Sequence, residues 1–283
     1  MKKNLLFAIV LCIGLALSAQ NIPTVNGSLL EKTVRVEYRK PTTAINPFMN
    51  QDVGMVTNKG MLGPDETELG ETWYDLQSNA SISNRLQVWG DGTMAAVWTR
   101  GLEATAFSDR GTGYNYFDGS EWDPWPTQRI QTNRCGWPSI AAWGPGGEIS
   151  VAHNGVTSLE WSQRETKGEG DWIQTNFLGP AGIENDLTWP RMVTSGENNE
   201  IIHMFVNSYV EYMGQTTALL YSRSSDGGET WDPQNVILDG MGEDDYAELG
   251  ADDYTMAARG NTVVLLHASD WADMFMMKSD DNG

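Results

Sequence analysis

Four times between Arg85 and His267 the chain repeats one pattern: a short apolar strand, a glycine-bearing turn and a second apolar strand. No other feature restricts its fold as tightly, because a unit this short buries its apolar surface only by stacking on its neighbours. The first strands open at Arg85-Leu86-Gln87-Val88, Ser139-Ile140-Ala141-Ala142, Arg191-Met192-Val193-Thr194 and Thr255-Met256-Ala257-Ala258. Turns follow at Gly90-Asp91-Gly92, Gly144-Pro145-Gly146-Gly147, Gly196-Glu197-Asn198-Asn199 and Gly260-Asn261, and the second strands run to Trp98, His153, Phe205 and His267. Successive copies lie 54, 52 and 64 residues apart, measured from Leu86 to Ile140, Met192 and Met256. This is the length of a four-stranded sheet unit with loop insertions. No amphipathic helical period competes with this all-β reading.

Each copy continues into a third strand and a second turn. In the third copy that turn reads Ser224-Ser225-Asp226-Gly227-Gly228-Glu229-Thr230-Trp231. Asp226 is suited to accept turn amides, the glycines supply positive φ, and Trp231 is placed to pack inward. The pattern Ser-x-Asp-x-Gly-x-Thr-Trp, carried by Ser224, Asp226, Gly228, Thr230 and Trp231, resembles the Asp-box, or BNR repeat, of sialidase-like β-propellers. Partial copies are read at Ser108-Asp109 leading to Trp122, at Trp161-Ser162 leading through Gly168 and Gly170 to Trp172, and at Lys278 to Gly283. The resemblance spans Asn84 to Gly283. It implies a β-propeller of four-stranded antiparallel blades, here an incomplete one with its fourth blade truncated. A closed four-bladed ring is the alternative, with Val34 to Tyr38 or Thr72 to Gln77 supplying the closing strand.

The N-terminus sets the compartment. Met1-Lys2-Lys3 is a basic start, Leu5 to Leu17 an apolar core too short to span a bilayer, and Leu17-Ser18-Ala19 a cleavage site. The expected organisation is a signal peptide over 1–19, a leader with one or two strands over 20–70, and blades over 71–283. The protein is expected to be secreted or held at the outer cell surface, with no membrane span after cleavage. Cleavage also removes Cys12, leaving Cys135 as the single thiol, so no intrachain disulfide forms. The formal charge of −20 becomes −22 once Lys2 and Lys3 are gone. Such a charge repels nucleic acid and anionic membranes.

Antiparallel strands place the Asp-box turns on one face of a propeller, and the loops between second and third strands, with the crossings between blades, on the other. Candidate binding residues on that second face are Tyr209, Glu211 and Tyr212 from one loop and Asp270, Trp271 and Asp273 from the next. Aromatic faces suit sugar C–H surfaces and carboxylates suit hydroxyls. Arg85, Arg134 and Arg191 fall near first-strand starts, where the sialidase resemblance places arginines that hold a substrate carboxylate. Tyr38-Arg39-Lys40-Pro41 is similar to the family's Arg-Ile-Pro motif but carries Lys40 in place of isoleucine. Aligned by repeat, His153 and His267 share a position with Trp98 and Phe205, so a large planar side chain rather than a metal ligand is expected there. The acidic run from Gly242 to Asp253 makes calcium a candidate ligand at Asp244, Asp245, Asp252 and Asp253. No other cofactor is expected.

The expected function is a non-catalytic module of a bacterial surface protein that binds an extracellular glycan or protein. A sialidase-like glycoside hydrolase and a structural spacer are the alternatives.

Overall fold

A computed structural model describes residues 66–77, 81–103, 105–154, 156, 158–250, 253–269 and 273–283. The signal sequence, the Val34 to Tyr38 run, Tyr38-Arg39-Lys40-Pro41, Asp252, Asp270 and Trp271 lie outside the described residues. No described segment is helical, and thirteen strands form four antiparallel sheets in chain order. Sheet 1 is β1 (Leu86–Val88), β2 (Met94–Arg100) and β3 (Gly111–Phe117). Sheet 2 is β4 (Gly136–Trp143), β5 (Gly147–His153), β6 (Leu159–Arg164) and β7 (Ile173–Phe177). Sheet 3 is β8 (Leu187–Ser195), β9 (Ile201–Ser208) and β10 (Leu219–Ser224). Sheet 4 is β11 (Tyr254–Arg259), β12 (Thr262–His267) and β13 (Phe275–Ser279).

Only sheet 2 has the four strands expected of every repeat. In sheets 1 and 3 the fourth segment still runs beside the third strand, but its pairing shrinks to the single bridges Phe117–Trp122 and Tyr221–Val236. Proline explains the loss: Pro124 and Pro126 in one segment and Pro233 in the other have no N–H to donate to a ladder. The Thr72 to Gln77 run is not a strand either. It lies along sheet 1, where Trp73 N donates to Gly101 O at 2.8 Å and Thr72 Oγ1 to Thr99 O at 3.0 Å.

Strand alternation decides how the sheets stack. On β9, Ile202, Met204 and Val206 face sheet 2 and join a core with Ile149, Val151 and Trp161, while Phe205 faces sheet 4 and packs with Met256 and Leu265. A smaller core of Ala95, Val97 and Ile140 joins sheets 1 and 2. Strands β5 and β9 are consequently buried on both faces, whereas β13 alternates between half-buried and exposed positions. Among the described residues apolar cores join sheets 1 to 2, 2 to 3 and 3 to 4, and none joins sheet 4 to sheet 1.

The first strands of the four sheets share one opening. The short lead into β1 reaches all three of the others: Ser83 Oγ donates to Pro138 O at 2.8 Å, Asn84 Nδ2 to Met192 O at 2.9 Å, and Ser81 Oγ to Tyr254 O at 2.5 Å. Leu86, Ala141, Val193 and Met256, one from each first strand, line a cavity of about 310 Å³ between them.

The cross-strand register corrects the repeat alignment. Leu86, Ile140, Met192 and Met256 pair with Ala96, Ser150, Met204 and Leu265. Two residues further on stand Trp98, Ala152, Val206 and His267; His153 sits one place beyond that position and Phe205 one place before it. A one-residue offset turns a strand side chain to the opposite face, so His153 and His267 are not equivalent. The expected partial turn at Ser108-Asp109 is also misplaced. It precedes β3, and the Asp109 carboxylate there accepts the amides of Leu102 and Glu103. The turn that follows β3 is built on Asp118, whose Oδ1 accepts from Ser120 N and Glu121 N.

After β10, Asp226 accepts from Thr230 N at 2.9 Å and from the hydroxyls of Ser224 and Thr230, and Ser224 Oγ accepts from Gly228 N at 2.9 Å. Gly227 and Gly228 hold φ of +81° and +89°. Trp231 then packs on Phe177 and Trp161 of sheet 2, with ring centroids 4.8 and 5.4 Å away. The turn after β13 repeats the scheme, since Ser279 Oγ donates to Asp281 Oδ1 and accepts from Gly283 N at 2.7 Å. Replacing Asp226 with Ala removes an exposed cluster of acceptors worth about 1 kcal/mol per bond. A loss of about 1–2 kcal/mol in urea unfolding is expected, and an unchanged midpoint would show that the glycines alone fix the turn.

Candidate functional site

A second motif recurs at the start of the first strands. Trp137-Pro138 opens β4 and Trp189-Pro190 opens β8, 52 residues apart. At each, the ladder to the second strand skips, between Gly136 and Ser139 and between Thr188 and Arg191. Both tryptophans hold φ of +50°, a left-handed conformation that is strained for a bulky side chain. Each bulge frees a backbone amide, and the preceding sheet captures it. Trp137 N donates to Thr99 Oγ1 at 3.0 Å, and Trp189 N to His153 Nδ1 at 3.1 Å.

A pocket of about 380 Å³ opens where sheets 2 and 3 meet, on the end where β5 and β9 finish. Its walls come from the bulges (Trp137, Thr188, Trp189), the end of β5 (His153, Asn154), the crossing into β8 (Asn185, Asp186, Leu187), the loop after β9 (Tyr209) and Arg110 ahead of β3. Tyr209 N donates to Asp186 O at 2.6 Å, which ties loop to crossing.

Trp137 is a pillar rather than a binding surface. His153 stacks on its ring at 5.1 Å and 13°, and the Arg110 guanidinium lies 5.0 Å from the ring centre. Trp189, half-buried, and Tyr209, 67% exposed, remain as aromatic platforms, their ring centroids 6.4 Å apart. Arg110 donates through Nε to Cys135 O at 3.0 Å and through Nη1 to Tyr74 OH at 3.3 Å. Its Nη2 has no protein partner among the described residues. Burial, then the neighbouring Arg134 charge, lower the Arg110 pKa. Burial is also the main reason that His153 is pushed down to about 3, reinforced by the charges of Arg110, Arg134 and Arg85. The nearby Cys135 thiol is raised by burial to about 12, so it stays protonated and is no nucleophile.

The residues singled out from sequence disperse. Tyr209 lines the pocket. Arg85 donates to Gln77 O at 2.6 Å, and exposed Arg134 donates to Phe107 O at 2.8 Å and to Ala106 O at 3.2 Å; both act on the pocket through their charge on His153. Arg191 donates to Ser81 O at 2.6 Å and lies 4.4 Å from the Tyr254 ring centre. Glu211 and Asp273 are exposed and outside the pocket, and Tyr212 packs against the core between sheets 2 and 3. Asp244 and Asp245 are exposed, Asp253 is half-buried, and no group of three metal-ligating side chains occurs among the described residues. Arg110, Trp137, Asn185 and Trp189 also line the pocket and are not among the residues singled out from sequence. The repeated Trp-Pro pair at the repeat spacing was the signal available for two of them.

No family model matches the chain, and no curated protein matches it. Similar solved structures include a protein of unknown function from Dyadobacter fermentans, at 13% identity and a TM-score of 0.49, covering 74% of this chain and 70% of that one. A Hadza microbial sialidase matches at 13% identity and a TM-score of 0.45, over 74% of this chain and 46% of its own length. An α-L-arabinofuranosidase from Podospora anserina matches at 16% identity and 0.45, over 75% and 68%. The chain thus spans about half the length of the sialidase.

Proposed function

We propose that this chain is part of an exported, incomplete β-propeller that binds an extracellular glycan, without cleaving it, in the pocket between sheets 2 and 3. One observation carries the glycan reading: Trp189 and Tyr209 stand beside Arg110, His153, Asn185 and Asp186 in one concave site. Aromatic platforms flanked by a few convergent polar groups are what a sugar ring requires. The binding reading draws on the same residues. Asp186 is the one carboxylate among the described residues of the pocket wall, whereas glycosidic cleavage generally employs a pair flanking the scissile bond.

The propeller reading rests on the sheets following one another in chain order around a shared opening, with cores only between successive sheets. Incompleteness is supported by the outer face of sheet 4, where Leu266, Met274 and Met276 are 37%, 67% and 59% exposed. Export rests on the basic and apolar N-terminal sequence.

A glycan array followed by calorimetry on the strongest hit tests the proposal. Saturable binding without turnover is expected, and Tyr209→Ala weakens it about tenfold, the equivalent of about 1.4 kcal/mol. Tyr209 is too exposed for its loss to unfold the protein. Release of sugar from the bound glycan would replace the binding module with an enzyme, and silence across the array would remove the glycan.

A further inference from the structure

We infer that His153 is a fixed hydrogen-bond donor in this pocket, presenting its Nε2–H to an acceptor oxygen of the bound sugar. The inference deepens the glycan-binding reading and rests on it. The argument begins with the tautomer, which here is set by a backbone group. Trp189 N–H donates to Nδ1 at 3.1 Å, so Nδ1 must keep its lone pair and the ring proton sits on Nε2. Thr188 Oγ1, 3.4 Å from the same nitrogen, is compatible with that assignment because a hydroxyl can donate to the lone pair.

The ring is also held in place. Its face lies on Trp137, and Trp189 meets it at 78° with centroids 5.8 Å apart. His153 is 9% exposed and lines the pocket, yet Nε2 has no protein partner among the described residues. A donor this nearly buried needs an acceptor. A ligand oxygen meets that need, with Arg110 Nη2 available as a second donor in the same wall. Because burial keeps the ring neutral, the donor is unchanged over ordinary pH.

The repeat supplies the comparison. Three places beyond the central cross-strand pair stand Thr99 in sheet 1, His153 in sheet 2 and Asn207 in sheet 3. Thr99 also accepts the amide of a left-handed tryptophan. Holding that bulge therefore needs only an acceptor on a short side chain, and a threonine suffices. The imidazole adds a second nitrogen on its far side, which the bulge does not use.

His153→Asn separates the two roles. Asparagine Oδ1 occupies the place of Nδ1 and can accept Trp189 N–H, but the far donor is gone. Two measurements are made on the full chain. In nitrogen-15 imidazole spectra, His153 of the wild type is expected as the Nε2–H tautomer from pH 7 to pH 5, its signal assigned by its loss in the variant. An Nδ1–H tautomer, or protonation within that range, would overturn the inference without any ligand. The second measurement is calorimetry with the strongest array glycan, in which His153→Asn is expected to bind at least tenfold more weakly and the wild-type Nε2 signal to move on saturation. Equal affinity with an unmoved Nε2 signal sinks the donor role and leaves the glycan reading standing. If the wild type binds no glycan, the functional reading fails and this role fails with it, while the tautomer is still read from the spectra. A variant that does not fold leaves the wild-type Nε2 shift on saturation to decide.

Discussion

Glu148→Ala is expected to lower the unfolding free energy by about 3–5 kcal/mol, the range for stripping one partner from a buried ion pair. Glu148 is fully buried, and its Oε1 is the focus of four groups: Arg164 Nε at 2.7 Å and Nη2 at 2.6 Å, Tyr114 OH at 2.8 Å and Gly168 N at 3.1 Å. The Arg164 guanidinium in turn lies 4.3 Å from the Trp172 ring centre and 4.7 Å from that of Tyr114. Alanine leaves a cation 7% exposed with no other ion-pair partner among the described residues. Glutamine keeps the acceptor oxygen and removes the charge, so Glu148→Gln is expected to fall between wild type and Ala. Tyr114 belongs to sheet 1 and Arg164 to sheet 2, so the cluster fastens two repeats together. Urea unfolding checks the pair of variants. A loss under 1 kcal/mol for Ala would mean that water readily replaces the carboxylate and that the cluster holds nothing.

Stability is expected to fall as the solution is acidified from pH 7 towards pH 4, earlier than carboxylate protonation alone would bring it about. Burial depresses His203 to about 4 and His153 to about 3, against about 6.5 in the unfolded chain. His267 is lowered in the same direction, again mainly by burial. Below about pH 6.5 the unfolded state binds protons that the folded state refuses. The stabilisation is complete above that pH and is lost as pH falls towards the folded values. His153 and His203 each contribute about 1.4 kcal/mol per pH unit within the window. Burial, then the neighbouring Arg223 charge, is why His203 resists protonation, and its hydrogen bonds hold the neutral ring in one orientation. Tyr221 OH donates to Nδ1 at 2.7 Å, Nε2–H donates to Ser195 Oγ at 2.8 Å, and Ser195 Oγ donates to Asn282 Oδ1 at 2.8 Å. Urea unfolding at pH 7, 6 and 5 measures the slope, and His203→Phe should make it shallower while leaving the part due to His153. A free energy constant across that range would contradict the burial of both rings.

The repeat was legible because its signals are local. Apolar alternation and glycine turns depend on neighbouring residues, so the first, second and third strands and the turn at Asp226 could be read from sequence. The fourth strands could not: Pro124, Pro126 and Pro233 permit a segment to lie beside a sheet while denying it a ladder. The histidine alignment failed by a single residue, since register comes from cross-strand pairing and from bulges that a count along the chain does not see.

By itself, then, the amino-acid order determined that short antiparallel strands recur, where most of them turn, and that the chain is strongly acidic. Tertiary structure alone decided that Arg110, His153, Trp189 and Tyr209 meet. They come from three different sheets, and what brings them together is two bulges that turn tryptophans into a left-handed conformation, each held by a side chain of the sheet before it. That capture acts between groups 36 and 38 residues apart in the chain, a distance at which no local pattern carries information.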